Sequence, residues 1–361
     1  MHISSLGPGA VPVARGARTM SVCSVALVGL GLLTPGLLTL GLLTAGIASA
    51  GQPCTRTIRS VEDARAALTA AAPGDMLCFL GADLADVDLT LTRSGTANAP
   101  ISLVSDGHTI VHQLHILADH VVIQGFTIAG GGELLLEGTG IIAQKNTVRD
   151  TQRGGIVCVS CTDSTIESNT VTHVATTGIS IGGQRITVRD NLVVATVPAD
   201  DGDADGVRFF GNGHRIISNV IRDISASGSP SSVHPDCFQT FDTGHPPTFD
   251  VEIVGNACQN VAENCLIASG DESGNSAAPV GSRSITFIGN TCAINGDQAV
   301  SLRHWPNVDV RKNKLFGPNL KRGILITNGS TGCTAKDNTT ANDVPPVEID
   351  DSSRRGFNNP F

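Results

Sequence analysis

The chain has 361 residues and a formal net charge of −9 at pH 7, with 41 glycines, a single tryptophan and no tyrosine. This mildly acidic balance offers no basic patch to hold a phosphate backbone, so we expect no nucleic-acid partner. Hydrophobic residues make up 40% of the chain. They are rich in Val, Ile and Leu, which favours an all-β fold with a sizeable core.

Residues 1–50 are typical of a signal peptide. Arg15 and Arg18 precede a long apolar stretch, and Ala48–Ala50 forms a small-residue cleavage site before Gly51. The alternative is a membrane anchor, because about 25 apolar residues suffice to span a bilayer. The Gly, Thr and Pro content and the cleavage pattern favour the signal. We therefore predict a secreted protein of the extracellular space or cell envelope, monomeric and free of the membrane once the signal is removed.

The first element of the mature chain is a short helix, predicted at about 60–72. Ser60 and Asp63 form a capping box in which Asp replaces the usual Glu, and Pro73 ends the helix. We expect the helix to cap the N-terminal end of the domain, where it would shield the first strands from pairing with other chains.

An asparagine then recurs after a short apolar strand, at intervals of 22 to 37 residues. A shortest interval near 22 residues suits a coil of three short strands, and the longer intervals indicate loops inserted at one corner. Asparagine tolerates left-handed backbone and can hydrogen-bond to its own kind, so we expect a stacked ladder. The eight positions are Asn146, Asn169, Asn191, Asn219, Asn256, Asn290, Asn313 and Asn338.

This repeat resembles the right-handed parallel β-helix of pectin- and alginate-degrading enzymes, and the resemblance covers roughly residues 54–345. We predict an all-β, single-domain right-handed parallel β-helix over residues 51–345, with the short N-terminal capping helix. The polar segment 346–361 is predicted to be a loose C-terminal tail.

The cysteines fit an exported chain. Cys54 and Cys78 bracket the predicted helix and are the best candidates for a disulfide. Cys158 and Cys161 are close enough to bridge or to stay as thiols, and no second pair follows that would complete a zinc site. The other cysteines form two columns on neighbouring coils, within disulfide reach or stacked as free thiols: Cys237 with Cys265, and Cys258 with Cys292.

Two matching segments, 203–210 and 234–241, each place an aspartate before a small residue that opens a strand. Equivalent positions of a coil stack, so Asp205 and Asp236 should lie side by side. Adjacent carboxyl groups are costly unless they perform chemistry or bind a cation, since like charges raise one pKa. Asp242, Glu263 and Asp271 are instead expected to be solvated loop charges.

The segments resemble the motif of polygalacturonase-type glycoside hydrolases. Asp205 matches the first aspartate of that motif, Asp236 matches the second member of its aspartate pair, and Arg303 falls where the family has a lysine. The chain departs from the motif at His234, Asn264 and Ser301. The resemblance implies a secreted hydrolase acting on a polysaccharide, with uronate-containing polymers among the candidates.

Glycoside hydrolysis needs one protonated and one ionised carboxyl group. We predict Asp236 as the acid and Asp205 as the base, in either order, with His234 tuning their protons. The predicted substrate-binding residues share this face of the coil. They are Arg208, Gln239, Asn264, Arg303, His304 and Trp305. Trp305 is a candidate sugar-stacking platform, with a core position beneath a loop as the alternative.

Other readings of the same residues stay open. The run from Asp201 through Asp203 to Gly206 resembles the start of a calcium loop, although Asn212 stands where its final Glu belongs. We expect no required cofactor, with calcium at Asp201 and Asp203 as the alternative. The two aspartates before Gly206 and Cys237 are also ordinary turn residues.

Two further functions remain. A polysaccharide lyase or uronate C5-epimerase would need a base and a cation, for which His234 and Arg208 are candidates. The absence of tyrosine excludes elimination by a His/Tyr pair. The third alternative is a non-catalytic carbohydrate-binding or surface protein on the same fold.

Overall fold

The computed structural model describes residues 53–198, 203–226, 233–270, 278–279, 281–341 and 343–359. The predicted signal peptide, Asp201 and Asp271 lie outside these ranges. In the part of the chain that is described, no helix has the length and apolar character needed to cross a membrane.

The described chain winds into a right-handed parallel β-solenoid of about 11 turns. Each turn lays short strands along three faces, and every strand pairs in parallel with its counterpart one turn away. Alternate side chains point inward, so valine, isoleucine, leucine and phenylalanine fill one continuous core along the axis.

The strands of face 1, in order along the sheet, are Arg56–Ile58, Met76–Phe79, Ile101–Ser105, Val121–Gln124, Ile142–Gln144, Thr165–Glu167, Thr187–Arg189, Arg215–Ile217, Val251–Val254, Ile285–Ile288, Asp309–Arg311 and Thr334–Lys336. Face 2 consists of Thr127–Gly131, Thr147–Thr151, Thr170–Val174, Leu192–Val194, Val220–Ile224, Ala257–Val261, Thr291–Ile294 and Lys314–Phe316. Face 3 consists of Leu134–Thr139, Ile156–Thr162, Thr177–Gln184, Asp205–Phe209, Phe238–Phe241, Leu266–Ser269, Gln298–Arg303, Arg322–Thr327 and Val347–Ile349. Two long strands, Asp83–Leu91 and Ile110–Leu117, precede the separation of faces 2 and 3.

A helix, Val61–Ala70, lies near the start of the described chain. The Ser60 hydroxyl accepts a hydrogen bond from the Asp63 backbone N–H at 3.1 Å, as the capping pattern predicts. Its buried side chains, which include Ala67 and Leu68, join the hydrophobic core of the first turns.

The C-terminal segment corrects one prediction. Residues 346–361 were expected to be loose, but the strand Val347–Ile349 pairs with Arg322–Thr327 and extends face 3. A 3-10 helix, Asp351–Ser353, follows it, and Ser353 is buried. The hydroxyl of Ser353 accepts the Ser330 backbone N–H at 3.1 Å. The segment continues the repeat because its short apolar run supplies one more strand, although its flanks are polar.

The predicted asparagine ladder lies at the corner between faces 1 and 2. Each side-chain amide donates to the side-chain oxygen of the next asparagine, for example from Asn191 to Asn219 at 3.0 Å. The same Asn219 oxygen accepts the Asn191 backbone N–H, also at 3.0 Å. The second amide proton goes to a backbone carbonyl, such as that of Val188 for Asn219. The ladder therefore satisfies its own polar groups inside the protein.

Disulfides Cys54–Cys78 and Cys158–Cys161 are both present, the first as predicted. The other four cysteines form the predicted columns but pair differently, as Cys237–Cys258 and Cys265–Cys292, with Cα separations of 6.1 and 5.8 Å. Each bond crosses the core from the start of a face 3 strand to the next face 2 strand along the chain. The columns do not bridge within themselves because both point inward and meet across the narrow interior. Among the described residues, Cys333 is a buried free thiol.

Candidate functional site

Four neighbouring strands of face 3 carry the region that the sequence singles out. Their outward side chains form two rows. The first row is Arg208, Gln239, Ile267 and Ser301, and the second is Phe241, Ser269 and Arg303. The strands begin with small residues because space is short: a Cβ on Gly206 would lie 2.4 Å from Ile221 Cγ2.

A cleft of about 440 Å³ opens on these strands. We call it the face 3 groove, and eight of the nine residues that line it have polar side chains. The lining residues are His234, Gln239, Glu263, Asn264, Ile267, Ser269, Gln298, Ser301 and Arg303. Four predicted site residues therefore meet in one place: His234, Gln239, Asn264 and Arg303.

Asp205 and Asp236 lie next to each other beneath this groove, on adjacent turns, as the repeat predicts. The Asp236 backbone N–H donates to Asp205 Oδ1 at 3.1 Å. Arg208 donates to Asp205 Oδ2 through Nε at 3.0 Å and also through its terminal nitrogen. Asn264 donates to Asp236 Oδ1 through its backbone N–H at 2.7 Å and its side-chain amide at 2.8 Å.

The two carboxyl groups share one environment but differ in their partners. Burial raises the pKa of Asp205 to about 7, against the opposing effect of the Arg208 guanidinium. Burial and then the Asp205 charge raise the pKa of Asp236 well above its ordinary value. Asp236 Oδ2 has no hydrogen-bond partner among the described residues. We infer that Asp236 holds the proton near neutral pH, while Asp205 carries the charge that Arg208 balances.

Their burial limits what the pair can do. Both residues are 0% exposed, so neither carboxyl group offers an atom to a polysaccharide in this structure. The predicted acid and base are adjacent and oppositely protonated, but they lie under the surface. They are under it because the residue before each small strand-opening residue points into the corner between faces 2 and 3.

Asp203 is fully engaged by its protein neighbours. Its Oδ1 accepts the His234 backbone N–H at 2.7 Å, and its Oδ2 accepts the Gln239 amide at 3.0 Å. The Arg208 guanidinium lies 3.9 Å from the same carboxylate. A cation beside the carboxylate and two donors on its oxygens are a poor fit to a calcium ligand. Through these contacts Asp203 joins two neighbouring turns of the solenoid.

Trp305 and His304 are not placed as predicted. Trp305 is 0% exposed and belongs to the core, so it offers no ring face to a sugar. His304 has a left-handed backbone with φ of 50° and does not line the groove. The chain turns the corner at His304, and this turn sends the next side chain inward.

Glu263 is the main residue that sequence reasoning missed. It was expected to be a solvated loop charge, yet it lines the face 3 groove. Burial raises the pKa of its carboxyl, Asp297 adds to this, and His234 opposes it. Its signal in the sequence is its place directly before Asn264, as Asp297 stands directly before Gln298.

Aromatic side chains flank the first row of the groove. The rings of Phe210 and His245 stack at 3.7 Å, and the Arg208 guanidinium lies 5.7 Å from the Phe241 ring centre. The burial of His245 and the nearby charge of Arg208 lower the pKa of that imidazole. The loop 242–250 is thereby folded back beside face 3.

A second cleft, of about 500 Å³, lies on face 1. Both of its arginines are engaged in ion pairs: Arg215 bonds to Glu252, which also lines the cleft, at 3.2 Å, and Arg283 bonds to Asp309 outside the lining at 2.9 Å. We favour the face 3 groove as the functional site because its groups are not paired in this way.

The architecture defines a right-handed parallel β-helix protein. Residues 98–221 match the family described as "Right handed beta helix region". No curated protein sequence matches the chain.

Similar solved structures share the fold at low sequence identity. One is an alginate lyase from Paenibacillus sp. str. FPU-7, with a TM-score of 0.53, 14% identity, and coverage of 81% of this chain and 98% of the lyase. Another is the catalytic unit of a thermostable GH87 alpha-1,3-glucanase from Streptomyces thermodiastaticus strain HF3-3. It has a TM-score of 0.53 and 15% identity, and the match covers 87% of this chain and 70% of the glucanase.

Proposed function

We propose that this protein is a secreted enzyme that cleaves a polysaccharide bound along face 3. The observation that carries the proposal is the face 3 groove of about 440 Å³, lined by hydrogen-bonding side chains from adjacent turns. A row of donors and acceptors that repeats from turn to turn suits a ligand that also repeats. Structural neighbours that act on polysaccharides, a lyase and a glucanase, agree with this substrate class.

We propose hydrolysis as the reaction. Hydrolysis needs a carboxyl group that stays protonated where the glycosidic oxygen will lie. Our candidate for this group is Glu263, which lines the groove and whose pKa is raised by burial. The buried pair beneath it, Asp205 and Asp236, was predicted from the sequence to be the acid and the base. In this proposal the two residues support the floor of the groove instead.

Elimination is the second candidate, because the groove also holds a cation. Arg303 is exposed in the second row and lines the groove together with His234. A guanidinium can neutralise a uronate carboxylate by paired hydrogen bonds, and an imidazole can accept a proton. A uronate polymer would be required for this reaction.

The test is incubation of the mature protein with plant, algal and bacterial polysaccharides, neutral and uronate-containing, with and without a chelator. We expect new reducing ends without the ultraviolet absorbance of an unsaturated uronate. Absorbance would instead establish elimination, and loss of activity with chelator would establish a metal requirement. Retention on a polymer column without cleavage would contradict an enzyme and support a binding protein.

Replacing one charged residue of the groove tests whether the substrate binds there. Arg303→Ala should raise KM by about tenfold, which corresponds to the loss of one charged contact. Arg149→Ala is the matched control, because Arg149 is an exposed arginine on face 2. Equal KM values for the two variants would place the substrate elsewhere.

A further inference from the structure

We propose that Glu263 and Asp297 are the pair of carboxyl groups that transfers protons at the groove surface, with Glu263 as the acid. The inference rests on the proposed hydrolysis and assigns its reacting groups. It moves the acid–base pair two turns along the solenoid and one residue back along the chain, from the buried aspartates to the surface.

The register of face 3 brings the two residues together. Leu266 pairs with Val300, and the Gln298 amide donates to Asn264 Oδ1 at 3.2 Å. Glu263 and Asp297 directly precede Asn264 and Gln298, so they occupy equivalent positions on adjacent turns. Adjacent strands lie about 4.8 Å apart, so the two side chains begin one turn from each other. Their carboxyl groups must spread further apart than the strands to admit the attacking water.

The two carboxyl groups have different surroundings, as an acid and a base require. Glu263 lines the groove and is partly buried, and this burial raises the pKa of its carboxyl although the nearby His234 opposes the shift. Asp297 is 40% exposed at the rim, with the Lys321 ammonium 3.6 Å from its Oδ2. A partly buried acid and a solvated carboxylate can thus coexist one turn apart.

A separate observation points to a ligand at the same place. Gln239 is 6% exposed and lines the groove. Its amide nitrogen is held by Asp203, and its Oε1 has no hydrogen-bond partner among the described residues. A buried acceptor without a donor is costly, and a sugar hydroxyl is a donor of the right kind for it.

The step balances with water as the only co-reactant. Glu263 gives its proton to the glycosidic oxygen as the bond from that oxygen to the anomeric carbon breaks. A water oxygen bonds to the anomeric carbon, and Asp297 takes a proton from that water. Two sugar ends with free hydroxyl groups result, and proton exchange with solvent restores both carboxyl groups.

Asp236 is a positioning residue in this scheme. Its Oδ1 accepts both the backbone N–H and the side-chain amide of Asn264. These bonds fix the backbone immediately after Glu263, and they fix the Asn264 oxygen that receives Gln298. The buried aspartate thereby sets where the surface acid stands.

The experiment compares Glu263→Gln and Asp297→Asn with wild type on the polysaccharide that the panel identifies. Each variant should lose about a hundredfold or more of kcat/KM. Glu263→Gln should also lose the alkaline limb of the pH profile, because the acid that must stay protonated is gone. Glu252→Gln is the matched control, since Glu252 is an exposed, ion-paired glutamate on face 1, and it should keep wild-type activity.

The possible outcomes distinguish a failure of this inference from a failure of the proposed function. Cleavage by wild type with Glu263→Gln within about threefold of it would overturn the inference and leave the proposed function standing. Absence of cleavage by wild type on every polymer would overturn both. An unsaturated product would overturn the inference and the proposed hydrolysis, and it would leave polysaccharide cleavage by elimination. Unchanged unfolding midpoints show that a loss of activity is chemical, and an Asp236→Asn variant with an altered pH profile but measurable activity would support its positioning role.

Discussion

Two columns of polar residues run along the described part of the solenoid, and they differ in the residue types that they contain. The asparagine ladder at the corner of faces 1 and 2 repeats one residue type, and each amide both donates and accepts. The second column, at the corner of faces 2 and 3, contains four residue types over five turns. This mixed column consists of Asp205, Asp236, Asn264, Gln298 and Arg322.

We infer from this difference that the asparagine ladder supports the fold, whereas the mixed column lies at the functional site. A ladder of neutral amides satisfies its hydrogen bonds and pays no charge-burial cost, so it can continue through many turns. The mixed column, in contrast, contains a buried polar atom that its neighbours do not satisfy, because Asp236 Oδ2 has no hydrogen-bond partner among the described residues. A column that keeps such unmatched groups next to a polar groove is where we expect chemistry.

The largest effect should come from breaking the ladder. Asn219→Ala removes the partners of Asn191, Asn256 and the Val188 carbonyl. Several buried groups would then be unpaired, so the free energy of unfolding should fall by roughly 2–4 kcal/mol. Urea denaturation measures the loss. Asn338→Ala is the control at the half-buried end of the ladder, where the loss should be about 1 kcal/mol; an equal loss at both positions would contradict this account.

The mixed column should instead respond to pH. A carboxyl whose pKa is raised by folding binds more protons in the folded state, so its stabilising contribution is complete in acid and declines as pH rises through the folded-state pKa. For Asp205 that value is about 7, and for Asp236 it is well above the ordinary value. Wild type should therefore lose stability from acid towards neutral pH.

Asp236→Asn removes that loss while keeping the acceptor oxygen used by Asn264. The stability of the variant relative to wild type should therefore rise between about pH 5 and about pH 8. Urea unfolding at both pH values tests this. Parallel pH curves for the two proteins would show that Asp236 does not titrate with the assumed sign.

The smallest effect is expected at the open end of the mixed column. Gln298 donates to Asn264 at 3.2 Å and accepts from Arg322 at 3.4 Å, and it is only half-buried. Water can replace both partners, so Gln298→Ala should cost less than about 1 kcal/mol. A cost equal to that of Asn219→Ala would mean that the two columns do not differ in kind.

Much of the fold could be predicted because the same residue types recur at the same place in successive turns. The recurring asparagines gave the register, and the register alone placed Asp205 beside Asp236 and Arg208 beside Gln239. Periodicity along the chain becomes neighbourhood in space in a solenoid, so these contacts needed no knowledge of long-range packing.

The predictions that were wrong concern the direction in which a side chain points, not the turn on which it lies. The register cannot say that the carboxyl groups of Asp205 and Asp236 point under the surface, or that Trp305 turns inward after the corner at His304. Likewise, Cys237 and Cys265 share a column, yet their sulfur atoms bond across the core. Glu263 was missed because a groove is a property of neighbouring loops, which a single strand pattern does not contain.

The cross-core disulfides have a consequence for survival outside the cell. The Cys237–Cys258 bond closes a covalent ring around the loop 242–250, and the Cys265–Cys292 bond closes a ring around residues 266–291. A single cut within either ring leaves both new chain ends covalently connected through its disulfide. The protein can therefore be cut once in either ring without separating the strands that carry the groove.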